Sequence, residues 1–428
     1  MKEIHLFVPV LAAILIVLVT TQLFARLFTM LKLPAVIGEV VGGVLLGPTA
    51  LGYFFPAFSS VVFSPDVHFA LFVLSNLGIC LFMFIVGMEM DFQVFKSKLM
   101  KESIILSAAA IAVPFALGIT FGATYFDVFR GNNTDIVQFC VFLGSALAIT
   151  AFPVLARLLQ ENNLIKTKLG SLALLSASMQ DVISWIFLSY VVATATRAGA
   201  GAGQMLYTFL LTVAFLSTDF FVVRPLLRKM MAKLDPDNPS HAGKLLRVVI
   251  LLLISNVLVA NLIGLNSLFG GFVTGLMVPK NKALIRFCSS RLEAFGVIFL
   301  LPIFFALSGL STNMLILGKM GVFLPSLIIM VVAFAGKYFS SLFTLKALGY
   351  SWRQSSAVGG LNNARGLMEL IIANVGLTYG IITGALYSLL VLLAIVSTLL
   401  AMPIYKASLG KGLSAVPENE PGAPDMAQ

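Results

Sequence analysis

The sequence predicts an all-α polytopic membrane protein, with thirteen transmembrane helices arranged as six-plus-six inverted repeats about a linker helix. Three observations predict it. The 428-residue chain is 59% hydrophobic and only 11% charged, with a mean hydropathy of +1.01, whereas soluble domains carry about a quarter charged residues. Mostly apolar runs of about 16 to 29 residues follow one another with short polar connections, as a hydrocarbon layer of about 30 Å requires. Small-residue motifs recur seven runs apart in the two halves of the chain. The net charge of +10 sits between the runs. It therefore reports topology, and no nucleic-acid partner is expected.

The first run, 5–30, is too long for a signal-peptide core and lacks a small-residue cleavage site at a fitting distance, so it reads as a span. The second, 34–52, carries Glu39 after Gly38 and the motif GGVLLGP at 42–48; Glu39 is expected to be hydrogen-bonded at a helix contact. The third, 68–90, holds LFMFIVGMEMD (81–91), and the fourth covers 102–127. The fifth, 135–160, contains SALAITAFPVLARLL. There Pro153 removes a donor and clashes with the preceding turn, so carbonyls near 148–150, beside Thr150, are expected to face a cation.

The sixth run, 167–195, has Gln180 and Asp181 at its middle, and the seventh, 204–229, carries Asp219 in a structural role. The stretch 245–279 divides into 245–262 and 264–279, the latter with GGFVTGLMVP at 270–279. Then come 283–311 with IFFALSGLSTN (303–313), 317–345 with Lys337, 352–377 and 381–408. Within 352–377 the segment GLNNARGLMELIIANVGL places Asn362, Asn363, Arg365, Gly366 and Glu369 together. That is too polar to face lipid, and Gly366 permits local unwinding. Residues 409–428 are polar and read as a disordered tail.

One set of loops carries nearly all the Lys and Arg; the other holds only Lys2, Arg130, Arg197 and Lys319. This asymmetry puts the N-terminus outside and the C-terminus in the cytosol of a plasma or inner membrane. Aligning Gly87 on Gly309 matches Phe82 with Phe304 and Asp91 with Asn313. Seven spans separate the copies, so they are inverted in the membrane, an architecture common among secondary transporters. The breaks at Pro153 and Gly366 are related by the same offset of seven spans.

Asp181 is the most informative residue. It lies roughly 20 Å from either end of the stretch Leu169 to Thr196, where a charge costs several kcal/mol and is normally kept for function. One carboxylate that takes either a proton or a cation, never both, is the minimum chemistry of an antiporter. Lys337 is its expected basic partner, holding Asp181 in the empty state. Gln180 is about 100° around the helix from Asp181 and is expected to cap broken-helix backbone. Ser184, at i+3, shares the Asp181 face as a candidate ligand. Arg365 and Glu369, at i and i+4, are expected to pair. No cofactor is expected, the only metal being the transported monovalent cation at Asp181. Cys80, Cys140 and Cys288 read as packing residues.

These residues carry a resemblance. PAVIGEVVGGVLLGPTALG, SALAITAFPVLARLL, SMQDVISWIFL, RLEAFGVIFLLPIFFALSGLSTN and NARGLMELIIANVGL occur in order over about residues 5–408. The chain thereby resembles the CPA2 group of monovalent cation/proton antiporters. The resemblance implies homodimers with a dimerisation domain of spans one to three and eight to ten (1–100 and 241–315). It implies a core transport domain of spans four to six and eleven to thirteen (101–197 and 316–408), a linker helix within 198–240, and an elevator-like movement of the core. It makes Asp181 the essential carboxylate, Lys337 its basic partner and Thr150 a residue of the helix crossing. Gln180 stands where most similar exchangers have Asn, as in the bacterial potassium-efflux branch, which mildly favours K+ over Na+. A single acid resembles the electroneutral members. A cation channel and a proton-coupled exporter of an organic cation remain as alternatives. An intramembrane enzyme is excluded by the lack of a Ser/His, paired-Asp or HExxH constellation within the spans.

Overall fold

A computed structural model describes residues 2–31, 33–89, 98–132, 134–162, 164, 167–196, 202–231, 239–263, 267–279 and 281–413. Their regular structure is helical, apart from an isolated antiparallel bridge between Arg130 and Ile382. The helices that matter here are α1 (Lys2–Met30), α2 (Ala35–Leu46), α3 (Pro65–Glu89), α4 (Lys98–Thr124), α5 (Ile136–Ala148), α6 (Phe152–Glu161), α7 (Lys168–Thr196) and α8 (Ala202–Thr218). They continue with α9 (Pro239–Leu262), α10 (Ser267–Met277), α11 (Lys282–Glu293), α12 (Leu301–Leu310), α13 (Phe323–Ala347), α14 (Trp352–Asn362), α15 (Leu367–Thr378) and α16 (Gly384–Leu413). One π-helical turn, Asp219–Val223, continues α8 into Arg224–Met231, and another, Ala294–Leu300, joins α11 to α12.

Among the described residues, nine helical stretches are long and apolar enough to cross a bilayer, and Ile136–Ala148, Ser267–Met277 and Met368–Thr378 are shorter apolar helices. The outer surface is apolar: Leu15, Leu23, Phe69, Phe221, Leu251 and Leu262 are exposed. A soluble protein would bury such side chains, whereas here lipid is the solvent. Polar groups gather inside instead, with Thr150, Gln180, Lys337, Asn362, Asn363, Arg365 and Glu369 all fully buried.

Two groups of helices pack internally. In the first, α2 packs on α1 and α12, and α10 on α3 and α9; in the second, α4, α5, α7 and α13 to α16 pack on one another. Glycines set the tightest approaches of the first group. A Cβ at Gly47 would strike the backbone of Leu310 and Gly309, and one at Gly275 would strike Phe84, Gly87 and Met88. Close backbone approach of this kind is how membrane helices gain dispersion energy without a hydrophobic driving force.

Both interruptions expected from the sequence are present, at residues 149–151 between α5 and α6 and at 363–366 between α14 and α15. Pro153 acts differently from expectation. It is the second residue of α6, where a fixed φ suits the first turn and the missing N–H removes no internal bond. It starts the second half-helix rather than breaking a continuous one. Gly366 has φ 156 and ψ −116, a conformation that non-glycine residues rarely adopt. Of the expected tail, residues 409–413 continue α16, which runs to Leu413 with a kink at Gly410 (φ 68, ψ 175); residues 414–428 lie outside the described residues. So do Met90 and residues 264–266, at the ends of the third and ninth expected spans.

Candidate functional site

The site forms where the two interruptions cross. The Ala151 amide donates to the Ala364 carbonyl (3.2 Å), joining the unwound segments backbone to backbone. Thr150 Oγ1 lies 3.2 Å from the Asn362 carbonyl and donates to Gln180 Oε1 at 2.7 Å. On α7, Asp181 is 2% exposed, and its Oδ1 accepts from the Phe152 amide at 3.4 Å. Phe152 is the first residue of α6, so the carboxylate faces the positive end of a half-helix dipole.

The opposite half-helix end is filled by cations. Arg365 Nη1 donates to the Ala146 carbonyl (3.1 Å) and Nη2 to that of Leu147 (2.7 Å), and the Lys337 ammonium donates to the Ala148 carbonyl. The last turn of α5 has no intrahelical partners for these oxygens. Two positive side chains satisfy them and oppose the negative end of the dipole. The sequence led to an expectation that freed carbonyls near 148–150 would face a cation, whereas protein cations already hold those of 146–148.

Lys337 is likewise not the direct partner of Asp181. Among residues whose side chains are described, the ion pairs are Arg130–Asp127 and Arg365–Glu369. Placing an ammonium on a helix C-terminus satisfies that end, and it leaves the carboxylate without a counter-charge at contact distance. Arg365 and Glu369 pair as expected, at 3.1 Å and fully buried.

Gln180 does not cap backbone at the break; its amide bridges two side chains. Nε2 donates to Ser176 Oγ (3.0 Å), while Oε1 accepts from Thr150. Ser184 is buried beside Asp181 in sequence, and its hydroxyl donates to the Gln180 carbonyl at 2.7 Å, so only its lone pairs remain for a ligand. Asn362 Nδ2 donates to Ser341 Oγ (3.1 Å) and Asn363 Nδ2 to the Gly359 carbonyl (3.3 Å). Asn362 Oδ1, Asn363 Oδ1 and Glu369 Oε2 are buried acceptors with no hydrogen-bond partner among the described residues. Sequence reasoning missed Ser107, Ser176, Ser341 and Thr398. Thr398 Oγ1 accepts from the Arg365 amide (2.9 Å) and donates back to the Arg365 carbonyl. Spacing of i, i+4 between Ser176 and Gln180 was the available signal for one of them.

Glu39 and Asp219 lie on other elements. Glu39 is half-buried on α2, and Asp219 Oδ2 accepts from Asn256 Nδ2 (3.1 Å) where the π-helical turn meets α9.

Residues 13–407 match the model of the family described as sodium/hydrogen exchanger, transmembrane. The chain belongs to that family. It is 36% identical over 397 residues to the Na+/H+ antiporter NhaS4 of Synechocystis sp., covering 92% of this chain and 96% of the relative. It is 30% identical over 427 residues to K+/H+ antiporter 1 of Saccharomyces cerevisiae and 36% identical over 407 residues to cation/H+ antiporter 17 of Arabidopsis thaliana. The chain spans 48% of the length of each of these two. The solved structure of the sodium proton antiporter MjNhaP1 from Methanocaldococcus jannaschii shares the fold, with a TM-score of 0.66, 14% identity, and coverage of 96% of this chain and 98% of that one. This exchanger-family chain is an integral, multi-pass membrane protein and a transporter rather than an enzyme.

Proposed function

We propose that this chain exchanges a monovalent metal cation, K+ or Na+, for protons across a membrane, with Asp181 carrying one or the other in turn. A single observation carries the reading. Asp181 is a buried carboxylate at the crossing of two interrupted helices, and the nearby cations Lys337 and Arg365 are bound to helix carbonyls instead of to it. A bare charge in that place is expensive. Either a proton or a metal ion removes the expense, and the two compete for the same oxygens. The unpartnered acceptors of Asn362 and Asn363 suit a cation more than an anion.

In the finer reading, thirteen spans form two inverted sets of six about a linker. The matched contacts support it: Gly47 meets Gly309 and Leu310, while Gly275 meets Gly87 and Met88, and these are the same pairs under the offset seen in the sequence. The helix group of α1–α3 and α9–α12 serves as the dimerisation scaffold of a homodimer. The group of α4–α7 and α13–α16 serves as a core that moves like an elevator, with the N-terminus outside and the C-terminus in the cytosol. Exchange is one for one and electroneutral, as a single carrier carboxylate supports, and Gln180 favours K+ slightly.

The test is a pH-gradient dye assay in everted vesicles. Adding K+, Na+, Li+ or Rb+ should dissipate an acid interior with the wild type, while Asp181→Asn, present at equal level in the membrane, should not respond. Exchange by Asp181→Asn at the wild-type rate would overturn the assignment.

A further inference from the structure

We infer that Ser176, backed by Ser107, is a positioning residue that locks the Gln180 amide so that Thr150 presents lone pairs, not a proton, to the cation. The inference rests on the reading of Asp181 as the exchange site, and it goes beyond that reading to how the neighbouring oxygens are oriented.

The orientation follows from counting donors and acceptors. The Ser176 carbonyl can only accept, and Gln180 Nε2 lies 3.3 Å from it and 3.0 Å from Ser176 Oγ. The amide nitrogen must therefore face α7's preceding turn, and Oε1 must face Thr150. The Thr150 hydroxyl has one proton, and Oε1 at 2.7 Å is nearer to it than the Asn362 carbonyl at 3.2 Å. With that proton committed, the free electron pairs of Thr150 Oγ1 are what the crossing offers to an ion. Were the amide reversed, Thr150 would accept from Nε2 and its proton would be released toward the crossing, where it repels a cation.

A longer relay holds Ser176 in turn. Ser107 has one proton, and the Ser103 carbonyl at 2.7 Å is nearer to it than the Ser176 carbonyl at 3.0 Å, so in the Ser107–Ser176 pair at 3.1 Å the Ser176 hydroxyl donates. Ser107 donates onward to the Ser103 carbonyl at 2.7 Å. Both serines are buried, Ser107 at 2% exposure and Ser176 at 0%. The direction of donation therefore runs from the crossing toward α4 and ends on a backbone carbonyl, which has no proton to return. A chain that ends on a backbone carbonyl has no group there to take up or release a proton, which leaves orientation as the task of the relay. The extra methylene of Gln over Asn lets residue 180 reach the turn below and Thr150 at once.

The experiment measures cation half-saturation, maximal rate and pH profile in the vesicle assay for wild type, Ser176→Ala, Ser176→Thr and Ser107→Ala. Loss of the Ser176 hydroxyl should raise the half-saturation concentration of the preferred cation about three- to tenfold, as one neutral hydrogen bond predicts. Maximal rate and thermal stability should stay within about twofold and a few degrees, values that a merely structural role would not separate. Ser176→Thr keeps the hydroxyl and should restore the wild-type constant, and Ser107→Ala should give a smaller shift in the same direction. Unchanged half-saturation in Ser176→Ala, or a defect in Ser176→Thr as large as in Ser176→Ala, overturns the positioning role while wild-type exchange still supports Asp181. A wild type that exchanges no alkali cation overturns both.

Discussion

Lys337 and Arg365 show how a membrane interior assigns its charges. Both are fully buried, and each donates to last-turn carbonyls of α5, Arg365 pairing with Glu369 as well. Hydrogen bonds to charged groups contribute about 1.5–3 kcal/mol each, so these side chains hold the broken end of the helix in place. Lys337→Gln keeps a donor for Ala148 and should retain folding and substantial exchange; Lys337→Ala strands that carbonyl and should lower stability by about 1–3 kcal/mol. Thermal unfolding in detergent, together with the vesicle assay, separates the two. Loss of exchange in Lys337→Gln as complete as in Asp181→Asn would mean that the ammonium acts on the carboxylate directly. Arg365→Ala should be worse, by about 3–5 kcal/mol, because it leaves Glu369 buried and unpaired. Asp181 could be found in the sequence because a lone acid in an apolar run has few explanations. The true partner of Lys337 could not, because main-chain carbonyls leave no mark in the side-chain pattern.

At the scale of elements, the break at 363–366 depends on one backbone conformation. Gly366 combines φ 156 with a Val154 methyl 2.8 Å from where a Cβ would stand. Gly366→Ala should therefore destabilise the protein by about 1–3 kcal/mol from backbone strain, with the clash adding to it. Gly384→Ala, at the first residue of α16 with open space around it, should be close to neutral. A melting temperature for Gly366→Ala equal to that of Gly384→Ala would show that the crossing tolerates an ordinary residue. The two interruptions were legible because Pro and a polar Asn-Asn-Ala-Arg-Gly run have no place in a lipid-facing helix. The role of Pro153 was misjudged because a proline that begins a helix and one that breaks a helix look alike without the neighbouring φ/ψ. The serine relay was hidden for another reason: serines in membrane helices commonly bond their own backbone, as Ser103 does to Leu99, and only distance across two helices separates Ser107 and Ser176 from that background.

For the whole molecule, the elevator reading requires the two helix groups to slide against each other, and a polar knot at Ser308 is among the contacts that span them. Asn374 on α15 donates to Ser308 Oγ on α12 (3.1 Å), while Tyr387 on α16 donates to the Ser308 carbonyl (2.7 Å). Beside the knot lies a cavity of about 710 Å³ between α3, α9, α12 and α15, lined by Ser308 and Asn374 among mainly apolar side chains. In the proposed topology this is the outer side. Two weak bonds of about 1 kcal/mol each can part on the timescale of domain motion, whereas a covalent link cannot. In a background with the three native cysteines, Cys80, Cys140 and Cys288, changed to serine, the pair Ser308→Cys with Asn374→Cys should cross-link under mild oxidant. Exchange should then fall to the level of Asp181→Asn, and reductant should restore it. Each single cysteine variant should be insensitive to oxidant, which separates a locked core from a lost hydrogen bond. Full exchange by the cross-linked protein, verified by loss of free thiol, would mean that ions cross without relative movement of α12 and α15, and the fixed-pathway reading of a channel would then replace the moving core.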